Sequence, residues 1–402
     1  MIKARRWAGV AIFNLFLFIL LFELAAWAYV SMRKPYVGYL ANYPTYVDLL
    51  TGTDPRHAGL YDPLGPHVID TALPWSLWHP RNSSFRHRRP CFDVMMQFNR
   101  EGTRGALPDP GDSASVFFLG DSFTEGFGLP EDSTLPVQYG RTAGVPVLNL
   151  GVAGLSTTQH SLIYEHFAPR YRHRRVFVVL FLVNDFMDND IDRYAAAHKA
   201  DRRFRPYRAD TSDLTALVYM GSPDSSLFSW RGFLEKRSLD GVSVVVDRRS
   251  FLSKVYNLTY SSRLIRVLAL SMRRTEPNEL AHDARDLRIL EYDLRRIMET
   301  ADRHGAQVTV VNIPGLDLLL QAPKSRPVEE RYLALEGRLS AMIGKGPHRF
   351  VSYYRHLRDV GVDPTRLVFT CDAHFNATGT LRFARFLAAD PPTAKSRVVE
   401  GP

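Results

Sequence analysis

Residues 116–128 read VFFLGDSFTEGFG. The first four, Val116 to Leu119, are β-branched, aromatic or bulky, a short run suited to a strand buried on both faces of a parallel sheet. Gly120 opens backbone angles closed to other residues, so the chain can turn sharply there. Ser122 then stands at the carboxyl edge of the sheet, ahead of a segment at 131–143 that reads as a helix. Open α/β sheets bind their ligands at that edge. A competing reading makes Asp121 and Ser122 turn or cap residues and nothing more.

Working outward, strand-like and helix-like segments alternate. Strands are expected at 115–119, 145–150, 175–183, 306–313 and 350–354, and helices at 131–143, 157–168, 282–304, 327–343 and 376–388. The 282–304 helix has the fullest pattern: Leu287, Leu290, Leu294, Ile297, Met298 and Ala301 recur at three- and four-residue steps, and Gly305 ends it. This alternation means βαβ units and a parallel sheet covered on both faces. Residues 186–280 break the rhythm with a polar stretch, VSVVV and an amphipathic run, and a long insertion beside a site reads as a cap. An ornamental subdomain is the alternative. Residues 35–110, rich in Pro, Gly, Tyr and Trp, read as an irregular stalk and collar containing the turn signal FNREGTRG at 98–105, and the tail 391–402 reads as disordered.

The 402-residue chain is 45% hydrophobic and 23% charged, an ordinary globular composition, with a net charge of +9. Its basic residues fall in separate short clusters (RHRR at 86, RYRHRR at 170, RRFRPYR at 202) without zinc spacing, an RNP-like motif or a long basic helix. No nucleic-acid partner is expected. Solvated faces explain the clusters, with attraction to anionic headgroups or an acidic polymer as the alternative. Ala8 to Val30 is apolar apart from Asn14 and Glu23, long enough for a membrane-spanning helix. Lys3, Arg5 and Arg6 before it orient residues 1–34 as an anchor with a cytoplasmic N-terminus and an exported, periplasmic domain. Ala26-Trp27-Ala28 also fits a signal-peptidase site, so cleavage stays open. The two cysteines, Cys91 and Cys371, suit a single bridge in an oxidising compartment and lack metal-site spacing. Neither a metal nor another cofactor is expected.

Three further stretches fall where loops after strands belong. LNLGVAGLS (148–156) ends a strand in glycines, FLVND (181–185) ends an apolar strand in Asn-Asp, and CDAHFNATG (371–379) sets Asp372 two residues before His374. Each alone is an ordinary turn or cap. Together with Ser122 they supply a hydroxyl nucleophile, an imidazole base, a carboxylate and oxyanion donors, the kit for acyl transfer.

In their order these four blocks resemble the SGNH (GDSL-type) hydrolase superfamily over roughly 115–390. The resemblance implies a flavodoxin-like α/β/α sandwich at 111–390. It also implies Ser122 as nucleophile, with Asp372 and His374 completing a triad, and the Ser122 N–H, the Gly154 N–H and the Asn184 amide as oxyanion donors. Gly151 ranks second to Gly154. Phe123 stands where the family name has Leu, Leu182 replaces a usual glycine, and Asp-x-His replaces the commoner Asp-x-x-His. Asn99 to Gly105 resembles a stretch of the membrane-anchored bacterial members. Thr124, at the second glycine of Gly-x-Ser-x-Gly, argues against an α/β-hydrolase. The expected activity is a serine esterase or deacylase acting outside the cytoplasm on an O-acylated carbohydrate or lipid. The alternatives are an O-acyltransferase modifying an extracellular polysaccharide and a non-catalytic scaffold for polysaccharide assembly.

Overall fold

The computed structural model describes residues 2–32, 67–89, 91–112, 114–197, 205–208, 212–220, 234–239, 242–247, 280–344, 346–369 and 372–389. The tail 391–402, stalk residues 35–66, Cys371 and much of the 186–280 insertion therefore lie outside the described residues. In chain order, α1 (Ile2–Met32) precedes the short antiparallel pair β1 (Val68–Ile69) and β2 (Leu77–Trp78) and the hairpin β3 (Ser83–Arg89) and β4 (Phe92–Phe98). The main unit follows with β5 (Val116–Gly120), α2 (Ser122–Glu125), α3 (Leu135–Ala143), β6 (Val147–Asn149), α4 (Thr157–Phe167), β7 (Arg175–Leu180), α5 (Leu182–Asn189) and α6 (Ile191–Ala197). The insertion carries the antiparallel pairs β8 (Arg205–Tyr207) with β9 (Val218–Met220), and β10 (Leu234–Leu239) with β11 (Val242–Asp247). Then come α7 (Ala284–Arg303), β12 (Gln307–Asn312), α8 (Leu316–Gln321), α9 (Arg326–Ile343), β13 (Arg349–Ser352), α10 (Tyr353–Val360) and α11 (Ala377–Ala389).

Five parallel strands form one sheet in the order β13-β12-β7-β5-β6. Counted along the chain this is 2-1-3-4-5, the flavodoxin-like winding, whose crossover reverses between β5 and β7. Side-chain alternation shows why the strands read as unbroken apolar runs. Phe117, Leu119, Val176, Val178, Val308 and Val310 join the core under α4, α7 and α9. Val116, Phe118, Phe177, Val179 and Val311 join the opposite core under α3, α10 and α11. Both faces are dry, so a Phe117→Ala or Phe118→Ala change would cost ~3–5 kcal/mol. The architecture is the expected α/β/α sandwich.

Several element ends differ from the sequence reading: the helix expected at 131–143 starts as α3 only at Leu135, and the strand expected at 145–150 covers Val147–Asn149. The strand expected at 175–183 stops at Leu180, and Leu182 opens α5, so Asn184 stands in a first helical turn. Asp185 makes that start: its Oδ2 accepts the Phe181 N–H at 2.7 Å, while the Asp185 N–H donates to the Phe181 carbonyl at 3.1 Å. The last strand likewise ends at Ser352, whose hydroxyl accepts the Arg355 N–H at 3.1 Å and starts α10. The collar is more regular than its composition implies. Its β3–β4 hairpin encloses Phe85, Met96 and Phe98, and Arg104 bridges Phe98 to Asn149, tying the collar to the β6 edge of the sheet. Gly9–Ala28 of α1 has a mean hydropathy of 2.3 and is long and apolar enough to cross a membrane by length and composition.

Candidate active site

The site is built on the β5–α2 turn. A Cβ on Gly120 would lie 2.2 Å from Thr124 Oγ1 and 2.9 Å from the Val179 carbonyl, so no side chain fits where the strand turns. Asp121 caps α2 by accepting the Phe123 N–H at 3.0 Å, which leaves Ser122 as the first helical residue at the carboxyl edge of the sheet. Among the described residues no acceptor takes the Ser122 N–H.

His374 arrives from the far end of the chain. After α10 and a 3₁₀ turn at Pro364–Arg366, the Val368–Phe375 bridge closes a short loop, and the Phe369 N–H donates to the His374 carbonyl at 3.0 Å. Asn376 pins the loop by donating to the Arg366 and Val368 carbonyls at 3.0 and 2.8 Å. His374 Nε2 thereby lies 2.7 Å from Ser122 Oγ. The Asp372 carboxylate accepts both the backbone N–H of His374, at 3.0 Å, and its Nδ1–H. The double contact explains the shortened Asp-x-His spacing, because one oxygen makes an Asx turn and orients the ring together. With Nδ1 donating to a carboxylate, Nε2 presents its lone pair to the serine hydroxyl. Phe127 stacks on the imidazole at 4.2 Å between centroids, and Phe123 lies 4.8 Å away.

The loop at 150–156 wraps the same turn. Its N–H groups are almost all held: Gly151 by Asn149 Oδ1 at 3.0 Å, Val152 by the Gly120 carbonyl at 3.1 Å, Ala153 by Glu125 Oε2 at 2.7 Å and Leu155 by the Val152 carbonyl at 3.2 Å. Among the described residues no acceptor takes the N–H of Gly154, which sits at φ +74°. The two glycines thus differ in kind. A Cβ on Gly151 would lie 2.3 Å from the Glu125 nitrogen, so that glycine allows the loop to touch α2.

Asn184 lies beside Asp121, and its Nδ2 donates to Asp188 Oδ2 at 3.0 Å. No hydrogen bond joins it to Ser122 or His374 among the described residues. Burial pushes the Asp121 carboxyl up to about 6, and burial with the nearby Asp121 charge pushes Asp185 well above the usual range. Opposing this acidic group, the guanidinium of Arg205 bonds Asp188 Oδ1 at 3.2 Å.

Sequence reasoning missed the groups that brace the turn from behind. Arg104, buried and drawn down to about 10 by desolvation, donates to the carbonyls of Glu125 at 3.0 Å, Gly126 at 2.6 Å and Leu129. Glu125 Oε1 lies 3.0 Å from His79 Nε2 and 3.6 Å from His67 Nε2. Burial opposes its ionisation, but the hydrogen bonds and charges of the two histidines prevail and hold its carboxyl well below the usual range. Both ring nitrogens of His79 face acceptors, since Nδ1 lies 2.9 Å from the Gly102 carbonyl, while burial lowers the pKa of the ring. These three side chains, with donor atoms within 4.8 Å of one another, are the one group among the described residues able to share a metal ion. Their separations are those of hydrogen bonds and ion pairs. The FNREGTRG turn was the only signal for any of this. Cys91 is disulfide-bonded, and its expected partner, Cys371, lies outside the described residues.

No curated protein matches the chain. Solved structures similar to it include a protein described as lipolytic, of the G-D-S-L family, from Desulfitobacterium hafniense (10% identity, TM-score 0.33, 69% of this chain and 98% of that one). Others are a carbohydrate esterase family 2 enzyme from Corynascus thermopiles (13%, 0.33, 71% and 68%) and an acetyl xylan esterase from Butyrivibrio proteoclasticus (10%, 0.31, 72% and 66%). At these TM-scores the likeness carries no argument. The family comparison does: the model of the GDSL-like lipase/acylhydrolase family matches residues 118–381, from inside β5 to inside α11, and takes in all four blocks gathered around Ser122. The chain belongs to that family, within the SGNH superfamily, and is a hydrolase of ester bonds.

Proposed function

We propose that this hydrolase is a serine esterase or deacylase that cleaves an O-acylated carbohydrate or lipid outside the cytoplasm. The observation that carries the reading is the 2.7 Å contact between Ser122 Oγ and His374 Nε2, made across 252 residues of sequence, with Asp372 on the other ring nitrogen. In this mechanism Nε2 takes the hydroxyl proton as Oγ attacks the ester carbonyl, and Asp372 orients the ring and stabilises the imidazolium. The carbonyl oxygen becomes an oxyanion received by the N–H of Ser122, the N–H of Gly154 and the side-chain amide of Asn184. His374 returns its proton to the leaving alcohol, leaving Ser122 acylated. Water then attacks the acyl group by the same route, which releases the acid and restores the hydroxyl. The aromatic surface formed by Phe123, Phe127 and Phe181 supports an acyl group and the C–H face of a sugar ring as neighbours. Residues 1–34 serve as the anchor, with Lys3, Arg5 and Arg6 on the cytoplasmic side.

The test is hydrolysis of short-chain aryl esters. Ser122→Ala and His374→Ala abolish turnover, Asn184→Ala lowers it ~10²–10³-fold, and Asp372→Ala falls between wild type and His374→Ala. A serine-directed phosphonate labels Ser122 in wild type and far less in His374→Ala. Full activity in purified Ser122→Ala refutes the assignment. A reporter fused after Pro402 that works in the cytoplasm alone, and is active there, refutes the location.

A further inference from the structure

We infer that Arg205, on the inserted segment that interrupts the α/β alternation, is a positioning residue that sets the two auxiliary oxyanion donors. The inference rests on the proposed roles of Gly154 and Asn184. Arg205 is completely buried, and each nitrogen of its guanidinium donates. Nε donates to the Tyr207 hydroxyl at 2.7 Å, Nη1 to the Gly154 carbonyl, and Nη2 to the Asp188 carbonyl at 3.0 Å and to Asp188 Oδ1 at 3.2 Å. Its face lies over the Tyr194 ring at 4.0 Å. The other oxygen of Asp188 accepts Asn184 Nδ2 at 3.0 Å. One cation therefore holds the glycine loop on one side and, through Asp188, the asparagine amide on the other.

Both donors need such a hold. Gly154 at φ +74° has no side chain to restrict it, and the peptide that follows it is gripped at both ends: the Leu155 N–H donates to the Val152 carbonyl at 3.2 Å, and the Gly154 carbonyl accepts from Arg205. Asn184 has rotatable bonds that the tether to Asp188 removes. An oxyanion hole accelerates the reaction because its donors are aimed before charge develops, and a small misplacement forfeits much of that gain. Lysine keeps the charge of Arg205 but cannot reach acceptors on three residues with one planar fork.

The test uses the full chain in detergent with an aryl acetate, active sites being counted by stoichiometric phosphonate labelling. Arg205→Lys and Arg205→Met lower kcat per labelled serine about 10- to 100-fold with KM within about threefold. Affinity for an aryl boronate, whose serine adduct carries an oxyanion, falls by the same factor. A purely structural role would instead lower the labelled fraction and the melting temperature and leave kcat per labelled serine unchanged. Asp188→Asn gives the same kcat loss by cutting the tether to Asn184, and serves if the Arg205 variants misfold. Unchanged kcat per labelled serine in Asp188→Asn, or in folded Arg205→Lys and Arg205→Met, overturns the inference. If Asn184→Ala loses activity while those variants keep it, this inference alone fails. If Asn184→Ala keeps full activity, the oxyanion reading beneath it fails.

Discussion

Replacing Arg104 by Met tests whether the collar holds the turn that carries Ser122. The guanidinium enters from the stretch after β4 and donates to three carbonyls of residues 125–129, so the turn carrying Ser122 has its outward acceptors satisfied by one buried cation. Burial lowers its pKa from 12.5 to about 10. At ~1.4 kcal/mol per pKa unit, keeping the charge there costs ~3 kcal/mol. Against this stand three charge-assisted hydrogen bonds worth ~1.5–3 kcal/mol each, some 5–9 kcal/mol in all. Arg104→Met removes both contributions and leaves buried carbonyls without a donor. The difference predicts a destabilisation of ~2–6 kcal/mol, a melting shift on the order of 10 °C for a domain this size. The assay is unfolding of the detergent-solubilised chain followed by tryptophan fluorescence, with aryl-ester turnover measured well below the melting point. Arg104→Lys restores a cation but at most part of the fork, and should fall in between. An Arg104→Met protein that unfolds within about 0.5 kcal/mol of wild type would show that the bonds only balance the cost of burial, and the clamp would explain nothing.

Two further outcomes follow from the same turn. Glu125 is held ionised in the folded state by its two histidines, so its folded pKa lies below the unfolded value of 4.5; the resulting stability is complete above that value and is lost as pH falls through the folded pKa. Glu125→Gln should therefore be less stable than wild type at pH 7 by a margin that closes toward pH 3 in denaturant titrations, and an equal margin at both would contradict the pairing. Gly151→Ala places a Cβ 2.3 Å from the Glu125 nitrogen and 2.6 Å from the Thr124 carbonyl carbon, both of them backbone. It should cut turnover ~10²-fold or more by displacing the turn that carries Ser122, and wild-type turnover in a folded Gly151→Ala protein would refute the close packing.

The strands were legible because burial on two faces leaves one compositional mark. Phe117 and Phe118 point into opposite cores, and each needs an apolar side chain, so the run cannot be mistaken for a surface strand. The same property hid the end of β7. Val178 to Val183 is apolar throughout, and nothing in that run separates the last strand residue, Leu180, from the first helical one, Leu182. The helix start is written in Asp185, four residues on, whose carboxylate reaches back to the Phe181 N–H. That Ser122, Asp372 and His374 come together was legible for another reason: the chemistry proposed for them depends on side-chain type, and the loops carrying them leave short, recognisable patterns.

Arg104, Glu125 and Arg205 had no comparable signature, and their contacts show why. Arg104 and Arg205 act largely on main-chain carbonyls, which every residue possesses, so no partner residue type is demanded at the far end. Glu125 pairs with a histidine 46 positions away, with no period linking the two. The two arginines nevertheless approach the site from opposite parts of the chain. One comes from the collar and grips residues 125–129 after Ser122; the other comes from the insertion and grips Gly154 and the α5 helix. The sheet can present a serine at its edge without either. What it cannot do alone is stop a four-residue helix and a glycine loop from moving relative to each other, and each arginine supplies one of those constraints at the cost of a buried charge. Segments that interrupt the α/β alternation are therefore where rigidity of the site is to be sought, and loss of Arg205 should slow the chemistry more than it lowers the melting temperature, while loss of Arg104 should do the reverse.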